Sequence, residues 1–230
     1  MKLLWWAMLN YVSMEDDSAP SGRRRSVILL HGFGASMHDL APLADVMQVP
    51  GYSWCFPQAP IDLPGFPAGK AWFPRQEPEL EHFSTGATFA NLRDYDPPGL
   101  AESAREVKHL IEELALTSSE LVIGGFSQGA MVAVELLTHL NALPQALVLF
   151  SGSLIAEHRW SRALSAKLQG LPVFQSHGRT DPILPYEEGT SLGRLLDKSG
   201  ASRRFIDFPG GHAIPNKVVN KATQFLSDLT

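Results

Sequence analysis

Six short apolar runs constrain this chain more than any other feature. They are Val27-Ile28-Leu29-Leu30, Tyr52 to Phe56, Leu121-Val122-Ile123, Ala146 to Phe150, Val173-Phe174 and Phe205 to Phe208. A strand with one wet face alternates apolar and polar residues. A run that is apolar at successive positions predicts a strand covered on both faces, as in a parallel sheet. Helical patterns fall between these runs. Leu100, Ala104, Val107, Ile111 and Leu114 recur at steps of three and four, as do Val218, Ala222, Phe225 and Leu229. Both patterns predict amphipathic helices lying on the sheet. Gly129 to Leu140 is apolar almost all round, with Glu135 its one charge, and predicts a largely buried helix. Alternating strands and helices define an α/β fold with a mainly parallel central sheet.

The length of 230 residues fits one domain, spanning 1–230. With 44% hydrophobic and 19% charged residues the chain has a globular composition. The formal charge of −5 and the lack of a long basic run argue against nucleic-acid binding. The one basic run, Arg23-Arg24-Arg25, stands just ahead of an apolar strand and reads as its solvated edge. A single cysteine, Cys55, excludes an intramolecular disulfide and any site built from several thiolates. No window has the ~18 apolar residues of a membrane-spanning helix. Lys2 and the apolar stretch Leu3 to Leu9 resemble a short signal core. Asn10 interrupts it and no small-x-small cleavage site follows, so Leu9 to Met14 reads as an opening β segment of a cytoplasmic protein. One stretch breaks the alternation. Residues 57–98 hold eight of the 17 prolines and are expected to form a long surface excursion rather than a second domain.

The chemistry centres on Gly125-Phe126-Ser127-Gln128-Gly129, which follows an apolar run and precedes the buried helix. This is a G-x-S-x-G pattern in the strand–turn–helix setting that a nucleophile elbow requires. The flanking glycines are expected because a sharp turn brings the backbone against its own neighbours. The turn would lift the Ser127 hydroxyl to the strand end, beside the positive N-terminus of the helix.

A serine hydroxyl needs a base, and the base needs an orienting acid. On this type of fold they follow in the order Ser, acid, His. Asp181 lies in a loop after the Val173 strand, and His212 in the Gly-rich loop after the Phe205 strand. In a parallel sheet all three loops leave the same edge. His31 comes too early in the chain to be the base. His177 is expected to brace the acid. His38, His82, His109, His139 and His158 are expected to be solvated. Among competing acids, Asp197 falls in a helical stretch and Asp207 within a strand. Oxyanion donors are expected from His31-Gly32-Phe33-Gly34, through the backbone N–H of Phe33, and from the N–H of Gln128. There is no H-E-x-x-H, no P-loop and no G-x-G-x-x-G after a strand, so no metal or cofactor is called for.

With these residues placed, the sequence resembles the α/β-hydrolases, and within them the phospholipase/carboxylesterase family that includes acyl-protein thioesterases. The matching pieces are Leu30 to Gly34, Phe56 to Pro60, Ala71-Trp72-Phe73, Gly125 to Met131, His177 to Pro185 and Gly211-His212. The resemblance implies an α/β-hydrolase fold without a separate cap domain, a Ser127–His212–Asp181 triad, and an oxyanion hole from Phe33 and Gln128. It implies hydrolysis of carboxylic esters, with thioesters or lysophospholipids as alternatives, on a small ester or acyl substrate. The protein would act as a monomer or homodimer, without stable membrane insertion. Trp72, Phe73 and Phe66, on the excursion, are the candidate substrate-binding residues, although Trp72 and Phe73 could equally anchor the loop to the core. The sequence departs from the family at Pro74-Arg75, Ala130 and Phe66 to Gly69, which bears on acyl specificity. A non-catalytic binding protein on the same scaffold is the alternative from another class.

Overall fold

The computed structural model describes residues 8–16, 25–66, 68–74 and 92–229. A seven-stranded sheet forms the centre. In chain order its strands are β1 (Tyr11–Met14), β2 (Arg25–Leu30), β3 (Tyr52–Pro57), β6 (Leu121–Phe126), β7 (Ala146–Phe150), β8 (Pro172–Gly178) and β9 (Ser202–Phe208). Their spatial order is β1-β3-β2-β6-β7-β8-β9. Every neighbouring pair is parallel except β1 on β3, where Tyr11 faces Pro57 and Met14 faces Trp54. The opening segment is thus an antiparallel edge strand two residues shorter at its start than expected.

The successive apolar runs are explained by helices on both faces. Ile28, Leu30, Leu121, Ile123, Leu147 and Leu149 point into one core. That core is closed by α2 (Leu100–Glu113), α3 (Gln128–His139), α4 (Glu157–Ala163) and α5 (Tyr186–Lys198). Val27, Leu29, Val122, Val148 and Phe150 point into the opposite core, closed by α1 (Pro42–Met47) and α6 (Asn216–Ser227). No helix among the described residues is long and apolar enough to cross a membrane.

The described part of the excursion packs down in two places. Strands β4 (Ile61–Asp62) and β5 (Lys70–Ala71) form a small hairpin, with Ile61 opposite Ala71. Residues 71–73 then enter the core beside α2, whose Ser103 hydroxyl donates to the Trp72 carbonyl. Leu92–Asp94 forms a 3₁₀ turn that leads into α2. Trp72 has 0% exposure, and its indole N–H donates to the His31 carbonyl at 2.8 Å. One aromatic thus fixes the excursion to the loop after β2. Trp72→Ala is expected to cost about 3–5 kcal/mol of stability, the usual range for emptying a buried aromatic site. Urea unfolding of the two proteins measures this, and a loss under 1 kcal/mol would show that Trp72 is no anchor.

Candidate active site

Helix α3 starts close to β2. A Cβ on Gly129 would lie 2.1 Å from the Leu30 carbonyl oxygen, and one on Gly125 would lie 2.3 Å from the Gly129 carbonyl carbon. Neither position can hold a side chain, which is the steric demand the G-x-S-x-G pattern implied. Between them Ser127 has φ 55° and ψ −118°, a strained conformation for a non-glycine residue. The strain is held by the flanking contacts and by the Ser127 N–H, which donates to the Phe150 carbonyl at 2.9 Å. The Ser127 carbonyl accepts the first helical hydrogen bonds, from Ala130 at 3.0 Å and Met131 at 3.3 Å. The Gln128 N–H stands at the first position of the helix, where no intrahelical carbonyl is available to it.

The loop after β2 lies against this elbow. A Cβ on Gly32 would meet Phe126 Cδ1 at 3.2 Å and Ser127 Cβ at 3.4 Å. Phe33 follows directly. The loop is braced by His31, which is buried and whose Nε2 accepts the Ala59 N–H at 3.1 Å. An N–H can only donate, so the His31 proton is on Nδ1, which donates to the Gly32 carbonyl at 2.8 Å. Burial pushes the His31 pKa down, against the pull of the Gly32 carbonyl and Asp39. His31 is therefore a neutral strut.

Sequence reasoning assigned only the main chain of Gln128. Its side chain is buried as well. Its Oε1 accepts the Trp72 N–H at 2.9 Å and its Nε2 donates to the Phe73 carbonyl at 2.8 Å. The residue after the serine thus clamps the excursion with its amide. No periodicity or motif signals this, because the partner lies 55 residues away.

The acid and base meet at the neighbouring strand ends. Asp181 is 7% exposed. Its Oδ1 accepts the N–H groups of Ile183 at 2.8 Å and Leu184 at 2.9 Å. Its Oδ2 accepts His212 Nδ1 at 2.7 Å. That bond leaves Nε2 as the free nitrogen of the His212 ring. The two loops share backbone contacts: Thr180 N–H donates to the Gly210 carbonyl at 3.0 Å, and a Cβ on Gly178 would lie 2.2 Å from the Gly211 carbonyl oxygen. Burial works to raise the Asp181 pKa. The His212 hydrogen bond and charge, with the two N–H groups, outweigh it and hold the carboxyl below its ordinary range. The His212 ring packs 4.7 Å from the Phe126 ring, next to the serine. No hydrogen bond joins the Ser127 hydroxyl to His212.

His177 braces the acid turn as expected. It is buried, its Nε2 donates to the Leu184 carbonyl at 2.9 Å, and the same atom lies 3.5 Å from Asp181 Oδ2. Burial lowers its pKa, so it too is neutral. The competing acids are engaged elsewhere. Asp197 pairs with Arg203 at 2.7 Å, and Asp207 accepts from Arg179 at 2.8 Å and from the Tyr186 hydroxyl at 3.2 Å. Of the histidines expected to be solvated, His38 and His158 are exposed. His139 is half-buried and bonds Glu135 at 2.9 Å, a carboxylate that also collects Arg159 and the Trp160 indole. His82 lies outside the described residues.

Beside Ser127 a narrow, mainly apolar slot of about 30 Å³ runs inward, with Phe33, Phe73, Leu92, Met131, Ile155 and Leu184 among its walls. Phe73 is the one of the three candidate substrate-binding residues on this slot. Trp72 is behind it in the core, and Phe66 is 55% exposed on the hairpin connection, away from the slot. Among the described residues no cluster of three or more His, Cys, Asp or Glu is arranged to hold a metal.

The known proteins that share this architecture are consistent with it. Residues 17–230 match the phospholipase/carboxylesterase family model. Acyl-protein thioesterase 1 of Cryptococcus neoformans is 30% identical over 185 residues, covering 76% of this chain and 74% of that protein. A probable carboxylesterase of Oryza sativa is 28% identical over 209 residues, covering 86% of this chain and 75% of that protein. Among solved structures, esterase PE8 superposes with a TM-score of 0.76 at 25% identity, covering 97% of this chain and all of that one. This chain, with its strained serine between two strand-end loops of a mostly parallel sheet, belongs to the phospholipase/carboxylesterase family of α/β-hydrolases.

Proposed function

We propose that this serine hydrolase cleaves carboxylic esters or thioesters through a Ser127–His212–Asp181 triad and an acyl-enzyme intermediate. The observation that carries the reading is the 2.7 Å bond from His212 Nδ1 to Asp181 Oδ2. It directs the basic Nε2 away from the acid, on the sheet edge where Ser127 stands. Ser127 Oγ attacks the acyl carbonyl carbon and its proton passes to His212 Nε2. The N–H groups of Gln128 and Phe33 receive the oxyanion. His212 then protonates the leaving alcohol or thiol. It next takes a proton from water, whose oxygen attacks the acyl carbon and releases Ser127. Catalytic hydrogen bonds often tighten only when substrate is bound, so the open Ser127–His212 pair of the free enzyme fits this sequence of steps.

Oxygen esters and thioesters are equally supported, since the relatives carry both names. The substrate is a small ester or acyl compound, and we place the reaction in the cytoplasm. The one thiol, Cys55, is buried and its pKa is pushed up to about 12, so it takes no part. A non-catalytic role is disfavoured by the strain held at Ser127, which a mere binding scaffold has no reason to maintain.

Three outcomes test the proposal. Ser127→Ala should abolish labelling by a fluorophosphonate and lower kcat by about 10⁴ to 10⁶, measured with a p-nitrophenyl ester. Retained labelling and turnover would sink it. Asp181→Asn should keep the fold but present an N–H to His212, favour the wrong tautomer, and lower kcat by about 10⁴. The same variant tests the electrostatics. A carboxyl held below its ordinary value stabilises the fold above that value and loses the contribution only as the pH falls through the lowered one. The urea midpoint of wild type should therefore exceed that of Asp181→Asn at about pH 5, and the gap should narrow only as the pH falls below the ordinary carboxyl value of about 3.9. A gap already closed at about pH 5 would mean the Asp181 carboxyl is raised instead.

A further inference from the structure

The His212 loop has a long way to reach. It leaves the end of β9, whereas Ser127 stands at the end of β6, three strands away in the order β6-β7-β8-β9. At ~4.8 Å between neighbouring strands, that is about 14 Å across the sheet edge. Two contacts hold the loop over β8. The carbonyls of Gly210 and Gly211 pack against Gly178, and His212 Nδ1 bonds Asp181 Oδ2. A hydrogen bond at one nitrogen fixes that atom better than it fixes the tilt of the ring. The direction of Nε2 therefore needs a second surface.

That surface is Phe126. Its ring centroid lies 4.7 Å from that of His212, with 44° between the planes. Aromatic rings attract at centroid separations of about 4.5–7 Å. Phe126 ends β6 and directly precedes the nucleophile. The preceding residues of that strand, Leu121 to Gly125, are all buried, whereas Phe126 is half-buried. It sits at the rim of the core that α6 closes, and α6 is the helix that follows the His212 loop. The loop after β2 bounds the same ring. A Cβ on Gly32 would lie 3.2 Å from Phe126 Cδ1 and 3.6 Å from Cε1, so a side chain there would crowd it.

We propose that Phe126 is a positioning residue whose ring seats the His212 imidazole with Nε2 towards Ser127. The inference rests on the Ser127–His212–Asp181 reading. Because Phe126 and Ser127 are consecutive, a shift of the strand end moves seat and nucleophile together and keeps their spacing. A phenylalanine that only filled the core rim would act on stability and leave the base alone.

The test is a double-mutant cycle of wild type, Phe126→Leu, His212→Ala and the double variant, read as kcat on p-nitrophenyl acetate. Phe126→Leu stays apolar but removes the ring face. It should lower kcat about 10-fold or more with KM changed less than about twofold, since misplacing a reacting group by ~1 Å costs on the order of 10²-fold. Phe126→Tyr keeps the ring and should stay within about threefold of wild-type kcat. In the His212→Ala background, Phe126→Leu should change kcat less than about twofold, because the seat has nothing left to hold. If Phe126→Leu fails to fold, Phe126→Met, also apolar and without a ring, takes its place in the cycle. An equal loss in both backgrounds would overturn the proposal, by showing that residue 126 acts on the serine turn rather than on His212. Wild-type kcat in the folded variant would overturn it as well and leave the triad in place. If His212→Ala alone keeps wild-type kcat, His212 is not the base, and the triad reading fails and takes the proposal with it.

Discussion

The site depends on one close approach, that of the start of helix α3 to the end of strand β2. The gap between the Gly129 backbone and the Leu30 carbonyl is too small for even a methyl group. Because the helix begins there, the loop after β2 lies on the elbow and Phe33 comes beside Ser127. The same approach brings the Gln128 side chain within reach of the excursion. One carboxamide then makes two buried hydrogen bonds to backbone, at Trp72 and Phe73. Their value is more geometric than energetic, since each nets only about 1 kcal/mol. They couple the position of an apolar wall to the residue that would supply an oxyanion N–H in the proposed mechanism. A loss of helix packing would therefore move Ser127, the Gln128 N–H and the Phe73 wall together.

Much of the fold was legible because burial on both faces leaves a plain signature. Val27 and Leu29 point one way and Ile28 and Leu30 the other, so no polar residue interrupts the run. Elements that gave weaker signals were harder to see. Helix α1 has six residues, less than two turns, and shows no period. Helix α5 contains Gly189 and Gly193, which lower helix propensity. The structure shows why they are there. A Cβ on Gly189 would lie 2.3 Å from His177 Nδ1, and one on Gly193 would lie 2.7 Å from Arg203 Cζ. Tertiary contact has overridden local preference in that helix. Strand β9 likewise extends back to Ser202 through Arg203 and Arg204, whose polar heads hide its start while their guanidinium groups lie over Phe205 and Phe225.

The site residues were legible to a different degree. Chain order and loop context singled out Asp181 and His212, and the structure joins them. The same logic set aside Asp197 and Asp207, each of which has an arginine partner. The supporting residues were not legible, because they act through partners remote in sequence. Nothing local to His31 marks it as a strut for Ala59, 28 residues on. Trp72 and Phe73 are adjacent, yet one faces the core and the other the slot, a division that depends on where the Gln128 amide holds their backbone.

The buried histidines clarify the electrostatics of the proposed triad. Three imidazoles lie close to the strand ends, and a second positive charge near Asp181 would compete with an imidazolium at His212 for the same carboxylate. Burial lowers the pKa of both His31 and His177, each of which gives its proton to a backbone carbonyl, and at His177 this keeps a second charge away from Asp181. Each carbonyl favours a proton on one nitrogen, but desolvation disfavours a charge on the ring. The result is two neutral struts, His31 under the loop after β2 and His177 beside the acid. His177 is also 3.5 Å from the oxygen that His212 uses, so its neutrality matters most. With it uncharged, the Asp181 carboxylate faces one histidine hydrogen bond, and in the proposed triad the Ser127 proton would pass to that ring alone.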